Sequence, residues 1–223
     1  MTHSLVWRLI LKDWYLSRTT LAIIAVVGVL SVGSLYLRNG LASLLGMLAA
    51  LFATIFLGIL MPTQTIVNER KRQNLAFMMS LPISVRQYTS SKILGNLAAF
   101  LILWLPIVIG MIGTVASAGT FGGLIPLMTV AALVPFVGFA VFVAGAIITE
   151  SETWSMTIMA ACNVSYSFVW LFIARAPGVL KDLGSPVAVW RQPMPSIVAA
   201  EIALIVLALG LTFYFQSKKT DFI

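Results

Sequence analysis

Residues 68–92 read NERKRQNLAFMMSLPISVRQYTSSK, and they hold five of the fourteen Lys and Arg residues of the chain. On one side, positions 41–67 carry no Asp, Glu, Lys or Arg, and on the other neither do positions 93–149. Runs of that length and polarity cross a bilayer, so the charged stretch between them reads as an aqueous connection between two spans.

Composition extends the reading to the whole chain. Of 223 residues, 60% are hydrophobic and 9% charged, and the mean hydropathy is +1.02. A core of this size in water could not hide so much apolar surface. The expected fold is all-α and polytopic, a single transmembrane domain over 1–223 with no separate soluble module. The net charge of +7 does not point to nucleic acid, because the basic residues sit at the ends of apolar runs, where membrane topology accounts for them. The one cysteine, Cys162, excludes an intrachain disulfide and reads as a small packed residue.

Six segments reach the roughly 20 apolar residues that a crossing needs, at about 21–37, 41–67, 93–116, 124–149, 154–174 and 196–216. Arg38-Asn39-Gly40 marks a turn after the first, and Gly119, Gly122 and Gly123 mark another after the third. Pro62, Pro106 and Pro135 fall inside spans and are expected to bend them. Ahead of the first span, residues of about 4–18 form an amphipathic pattern. Trp7, Ile10, Leu11 and Trp14 share one face and Arg8 and Lys12 a narrow polar strip, which suits a helix lying at the headgroups. Arg8, Lys12, Asp13 and Arg18 interrupt any apolar stretch there, so a cleavable signal is not expected.

With the N-terminus inside, ten Lys and Arg fall on the cytoplasmic side and four (Arg38, Arg175, Lys181, Arg191) outside. That bias predicts both termini in the cytoplasm, and the expected location is a prokaryotic inner or plasma membrane.

Several chemistries lack their residues. A single His, His3, leaves no zinc-protease pair and no serine–histidine pair at membrane depth, and no GxxxxGK[ST] loop is present to cradle phosphates. No catalytic residue and no metal or cofactor site is expected on this chain. Ionisable residues inside spans mark ion and substrate pathways, and here Glu201 is the one candidate. It reads either as a carboxylate reaching the interface or as a group lining a pathway or gate. Glu150 and Glu152 read either as a solvated turn or as a second contact to a partner.

Within the opening stretch, Leu75, Met78 and Met79 can share one face of a short helix, and Leu81-Pro82 stops it. Ser84 with Gln87 three later has the form of a capping box that starts the helix of the third span. In its order of elements the stretch resembles the membrane-spanning permease subunits of ABC-2 type (type-2) ABC exporters. The matching residues are Glu69-Arg70, the short helix of 73–80, Ser80-Leu81-Pro82-Ile83-Ser84-Val85-Arg86, and Lys92 opening the third span. The layout of the rest agrees, with an N-terminal amphipathic helix, six spans and a longer connection before the last.

The resemblance implies that 73–80 is a cytoplasmic coupling helix docking on a separate ATPase subunit. Glu69, Arg70, Arg72, Leu75, Met78, Met79, Ser80, Pro82 and Arg86 would serve that contact. It further implies a second permease copy as homodimer partner, ATP and Mg bound by the ATPase alone, and an amphiphilic cargo such as a peptide, lipid or drug moved outward by alternating access. A membrane immunity or assembly factor using the same basic loop, and a small secondary transporter, are the other readings.

Overall fold

The computed structural model of the chain describes residues 2–37, 39–71, 84–119, 121–149, 151–176 and 179–218. Helix α1 (Thr2–Leu16) precedes α2 (Arg18–Leu35); α3 (Gly40–Pro62) continues through a π-helical turn (Thr63–Val67) into α4 (Asn68–Lys71). Then come α5 (Val85–Ala118), α6 (Leu124–Thr149), α7 (Glu152–Arg175), the short α8 (Val179–Asp182) and α9 (Met194–Ser217). No strand occurs among the described residues.

Six helical stretches are long and apolar enough to cross a membrane: Arg18–Leu35, Gly40–Val67, Arg86–Ala118, Leu124–Thr149, Glu152–Arg175 and Met194–Gln216. The chain is thus a multi-pass, all-helical membrane protein, and the six sequence segments each fall within or overlap one of these stretches. The expected short helix of 73–80 lies outside the described residues.

Local chemistry sets the helix ends. Asn39 starts α3 by accepting the Leu41 N–H, and Ser151 starts α7 by accepting that of Trp154. Both have non-helical backbone with a side-chain oxygen on an otherwise unpaired donor. Ser84 and Gln87 make the expected reciprocal box: Ser84 Oγ accepts the Gln87 N–H at 3.3 Å, and Gln87 Oε1 accepts the Ser84 N–H at 3.0 Å. At the other end α5 stops at Gly119, whose φ of 65° an L side chain resists.

Helix α6 is central, with α3, α5, α7 and α9 packed on it and α2 against α3 and α5. Phe100, Trp104, Phe136 and Phe139 form an aromatic cluster between α5 and α6, with Phe100 and Phe139 stacked at 4.5 Å. A smaller core of Val130, Val134, Ile173, Val179 and Met194 ties α8 and the start of α9 to α6 and α7. There the turn at Gly122 and Gly123 abuts the backbone of Asp182 and Pro186, and Gly123 donates its N–H to the Ser185 carbonyl at 2.9 Å.

The N-terminal helix docks on the bundle through part of its apolar face, Ile10 and Trp14, and through Asp13. Helix α1 packs on α5 through Leu9, Ile10 and Asp13, with Ser17 buried just beyond its end, while Trp7 and Leu11 point outward. Apolar periodicity alone selects the face with most indole and isobutyl surface. Asp13 adds a charged contact to that packing, because a buried charge must find a partner.

Candidate functional site

The stretch quoted at the outset is bounded by two helices whose facing ends share a set of buried charges. On α5, Tyr88, Lys92 and Asn96 are four residues apart and occupy one face. On the other side Pro62, which has no N–H to give the helix, leads into the π turn Thr63–Val67. A π turn takes one more residue than an α turn. It therefore rotates α4 by about 100° relative to an uninterrupted helix, and Glu69 turns inward.

Four charges meet there. Lys92 Nζ lies 2.8 Å from Asp13 Oδ2 and 2.6 Å from Glu69 Oε2. Lys12 donates to Glu69 Oε1 and lies 3.5 Å from Asp13 Oδ1. The side chains of Lys92, Asp13 and Glu69 are 1%, 3% and 8% exposed. Tyr88 donates its phenol O–H to Glu69 Oε2 at 3.3 Å, and its ring lies 5.5 Å below the Lys92 ammonium. Among the described residues the two positive and two negative groups balance, which is what makes such burial tolerable.

The environment moves three of these groups. Burial drives the Asp13 carboxyl upward, and the Lys92 ammonium offsets that only in part, so it stays above its ordinary value. Burial acts in the same sense on Glu69, but Lys92 and the hydrogen bond from Lys12 more than reverse it and hold the carboxyl below its ordinary value. For Lys12 burial alone would lower the ammonium, and the hydrogen bond and charge of Glu69, with Asp13, outweigh it and raise it.

A polar ladder continues from the quartet into the bundle. Asn96 donates to the Lys92 carbonyl at 2.8 Å, and its Oδ1 lies 3.0 Å from the Thr65 hydroxyl. Gln64 donates to Thr20 Oγ1 at 2.9 Å, and Trp14 closes the α1–α5 contact by donating to the Gly95 carbonyl at 2.9 Å. Helices α1, α2, α4 and α5 are thereby joined at one end of the bundle, around the base of the 72–83 connection.

The sequence candidates fall in different places. Glu69, expected in water, is instead buried and bound to Lys12 and Lys92. Arg86 is exposed in the first turn of α5. Arg70 lies in α4 with its side chain outside the described set; Arg72, Leu75, Met78, Met79, Ser80, Pro82 and Glu150 lie outside the described residues. Glu152 is exposed in the first turn of α7, where the helix dipole favours a carboxylate.

Glu201 is the eighth residue of α9, beyond the reach of the helix-end dipole. It is 6% exposed, and neither oxygen has a hydrogen-bond partner among the described residues. It shares the inward stripe of α9 with Ile205, Thr212 and Gln216, the last donating to the Ile147 carbonyl of α6 at 3.0 Å.

Sequence reasoning missed Lys12, Asp13 and Tyr88 as site residues, and saw Lys92 only as a marker of the third span. Among the described residues no group of three or more His, Cys, Asp or Glu side chains could hold a metal. Comparison with family models, with curated proteins and with solved structures finds no match to this chain.

Proposed function

We propose that the chain is the permease subunit of an ATP-driven exporter of the ABC-2 type, working as a homodimer with a separate ATPase that binds ATP and Mg. The 72–83 connection faces the cytoplasm and transmits ATPase motion to the spans. The observation that carries this reading is the ion quartet. It ties α4, which enters the connection, to α5, which leaves it, and both to α1. A contact pushing on the connection would then move three helices together instead of fraying two helix ends. The motif order of 68–92 and the six apolar helices add support, and the lack of a GxxxxGK[ST] loop in the sequence accords with an energy source on another chain.

The test is affinity purification of the chain from its own membranes in mild detergent, with assay of MgATP hydrolysis by whatever co-purifies. An ATPase that accompanies the wild type and is lost with Met78→Asp plus Met79→Asp, while the variant still inserts, is the expected result. Absence of any nucleotide-hydrolysing partner overturns the reading.

Glu201 favours a second reading. A buried, unpartnered carboxylate within a span is the feature of a secondary transporter coupled to protons or to a cation. Uptake driven by a proton gradient without ATP, and abolished in Glu201→Gln, separates it from the first.

A further inference from the structure

The outer side of the α1–α5 contact is hollowed into a groove of about 730 Å³, walled by Trp7, Ile10 and Trp14 of α1 and by a stripe of α5. That stripe runs Gln87, Ser90, Leu94 and Ala98, three and four apart on one face, with Arg86 beside Gln87 at its head. From Arg86 to Ala98 it covers about 18 Å at 1.5 Å per residue. Along that length the side chains change from guanidinium, amide and hydroxyl to isobutyl and methyl. A groove polar at one end and apolar at the other over this distance has the profile of a single phospholipid molecule.

Its charge selects the headgroup. Arg86 is exposed and makes no ion pair among the described residues. The nearby acids cannot neutralise it, because Asp13 and Glu69 are buried and held by Lys12 and Lys92. Arg8, also exposed, adds positive charge to α1. Trp7 stands exposed at the rim, as an amphipathic ring does at headgroup level.

We propose that this groove binds one anionic phospholipid of the leaflet that holds α1. Its phosphate sits at Arg86 beside Gln87 and Ser90, and one acyl chain lies along Ile10, Trp14, Leu94 and Ala98. The bound lipid bridges α1 and α5 from outside the bundle, as the ion quartet does from within. The inference does not depend on the export reading, since it needs only the membrane and this face.

The test is native mass spectrometry of the full chain extracted from vesicles of phosphatidylglycerol and phosphatidylcholine in equal parts. One phosphatidylglycerol retained in preference to phosphatidylcholine is expected. Arg86→Gln lowers that preference about five-fold, the value of one basic residue at a membrane surface, whereas Arg175→Gln at the far end of α7 leaves it unchanged. Ala98→Phe, which fills the apolar end without altering charge, lowers retention as well and keeps the test valid if Arg86→Gln does not fold. Equal retention of the two lipids by the wild type, or retention untouched by Ala98→Phe, overturns the proposal. So does displacement of the lipid by glycerol phosphate, which would mark a simple anion site.

Discussion

Lys92 Nζ and Asp13 Oδ2 lie 2.8 Å apart across 79 positions of sequence, and both side chains are almost wholly withdrawn from solvent. Lys92 also neutralises Glu69, so removing it leaves two buried carboxylates with Lys12 as the one cation paired to them among the described residues. Lys92→Met is expected to destabilise the folded protein by about 3–5 kcal/mol, the cost of breaking a buried pair from one side. Replacing the set together, Lys92→Met with Asp13→Asn and Glu69→Gln, costs less than Lys92→Met alone. Thermal unfolding in detergent, read by circular dichroism, measures both.

The two carboxylates respond to acid in opposite senses. Glu69 is held below its ordinary 4.5, so its stabilising contribution is complete above 4.5 and is lost as pH falls through the lower folded value. Asp13 is held above its ordinary 3.8, so its ionised form opposes folding at neutral pH, and acid relieves that cost. Glu69→Gln is therefore expected to flatten the loss of stability below about pH 4.5, and Asp13→Asn is not. Lys12, held above 10.5, contributes stability that is complete below that value and is lost as pH rises through the folded one. Lys12→Met is expected to remove this alkaline limb. Unfolding midpoints against pH for the three variants give the answer.

At the opposite end of the bundle a Cβ on Gly123 would collide with the Asp182 carbonyl oxygen, a backbone atom, whereas one on Gly184 would meet nothing. Gly123→Ala is expected to cost about 1–3 kcal/mol, as overpacking does, and Gly184→Ala less than about 0.5 kcal/mol. Paired thermal melts distinguish the two.

Glu201 is buried without a hydrogen-bond partner among the described residues, and an unsatisfied buried group costs about 1–3 kcal/mol. Glu201→Leu is expected to raise the thermal midpoint. A loss of transport in the same variant would assign the carboxylate to the pathway, where function is retained at the expense of stability.

How far the sequence disclosed all this depended on the range of each interaction. The Ser84–Gln87 box was legible because its partners lie three residues apart, whereas Asn39 read only as part of a turn. The spans were legible because bilayer thickness imposes their length. Glu69 was seen as a polar residue after a long apolar run, which ordinarily means water. Its burial follows from the π turn after Pro62 and from two lysines on other helices, and neither is a local property. Asp13 read only as an interruption of an apolar face. Nothing within a helical turn announces that Lys92 will neutralise it, although a lone Asp among tryptophans and a lone Lys at the head of a span are the pair of signals to search for together. Glu201 was visible as the one carboxylate inside a span, but its lack of hydrogen-bond partners among the described residues appears only when α9 is packed against α6.

The measurement that bears most directly on the proposed function is photocrosslinking from position 78 in native membranes. A photoactivatable residue replacing Met78 is expected to give one covalent adduct with an ATP-hydrolysing subunit, with a yield that changes when MgATP is added. Adducts with lipid alone, or with a protein that neither binds nor hydrolyses ATP, would contradict the assignment of the basic connection as the contact through which ATP drives this chain.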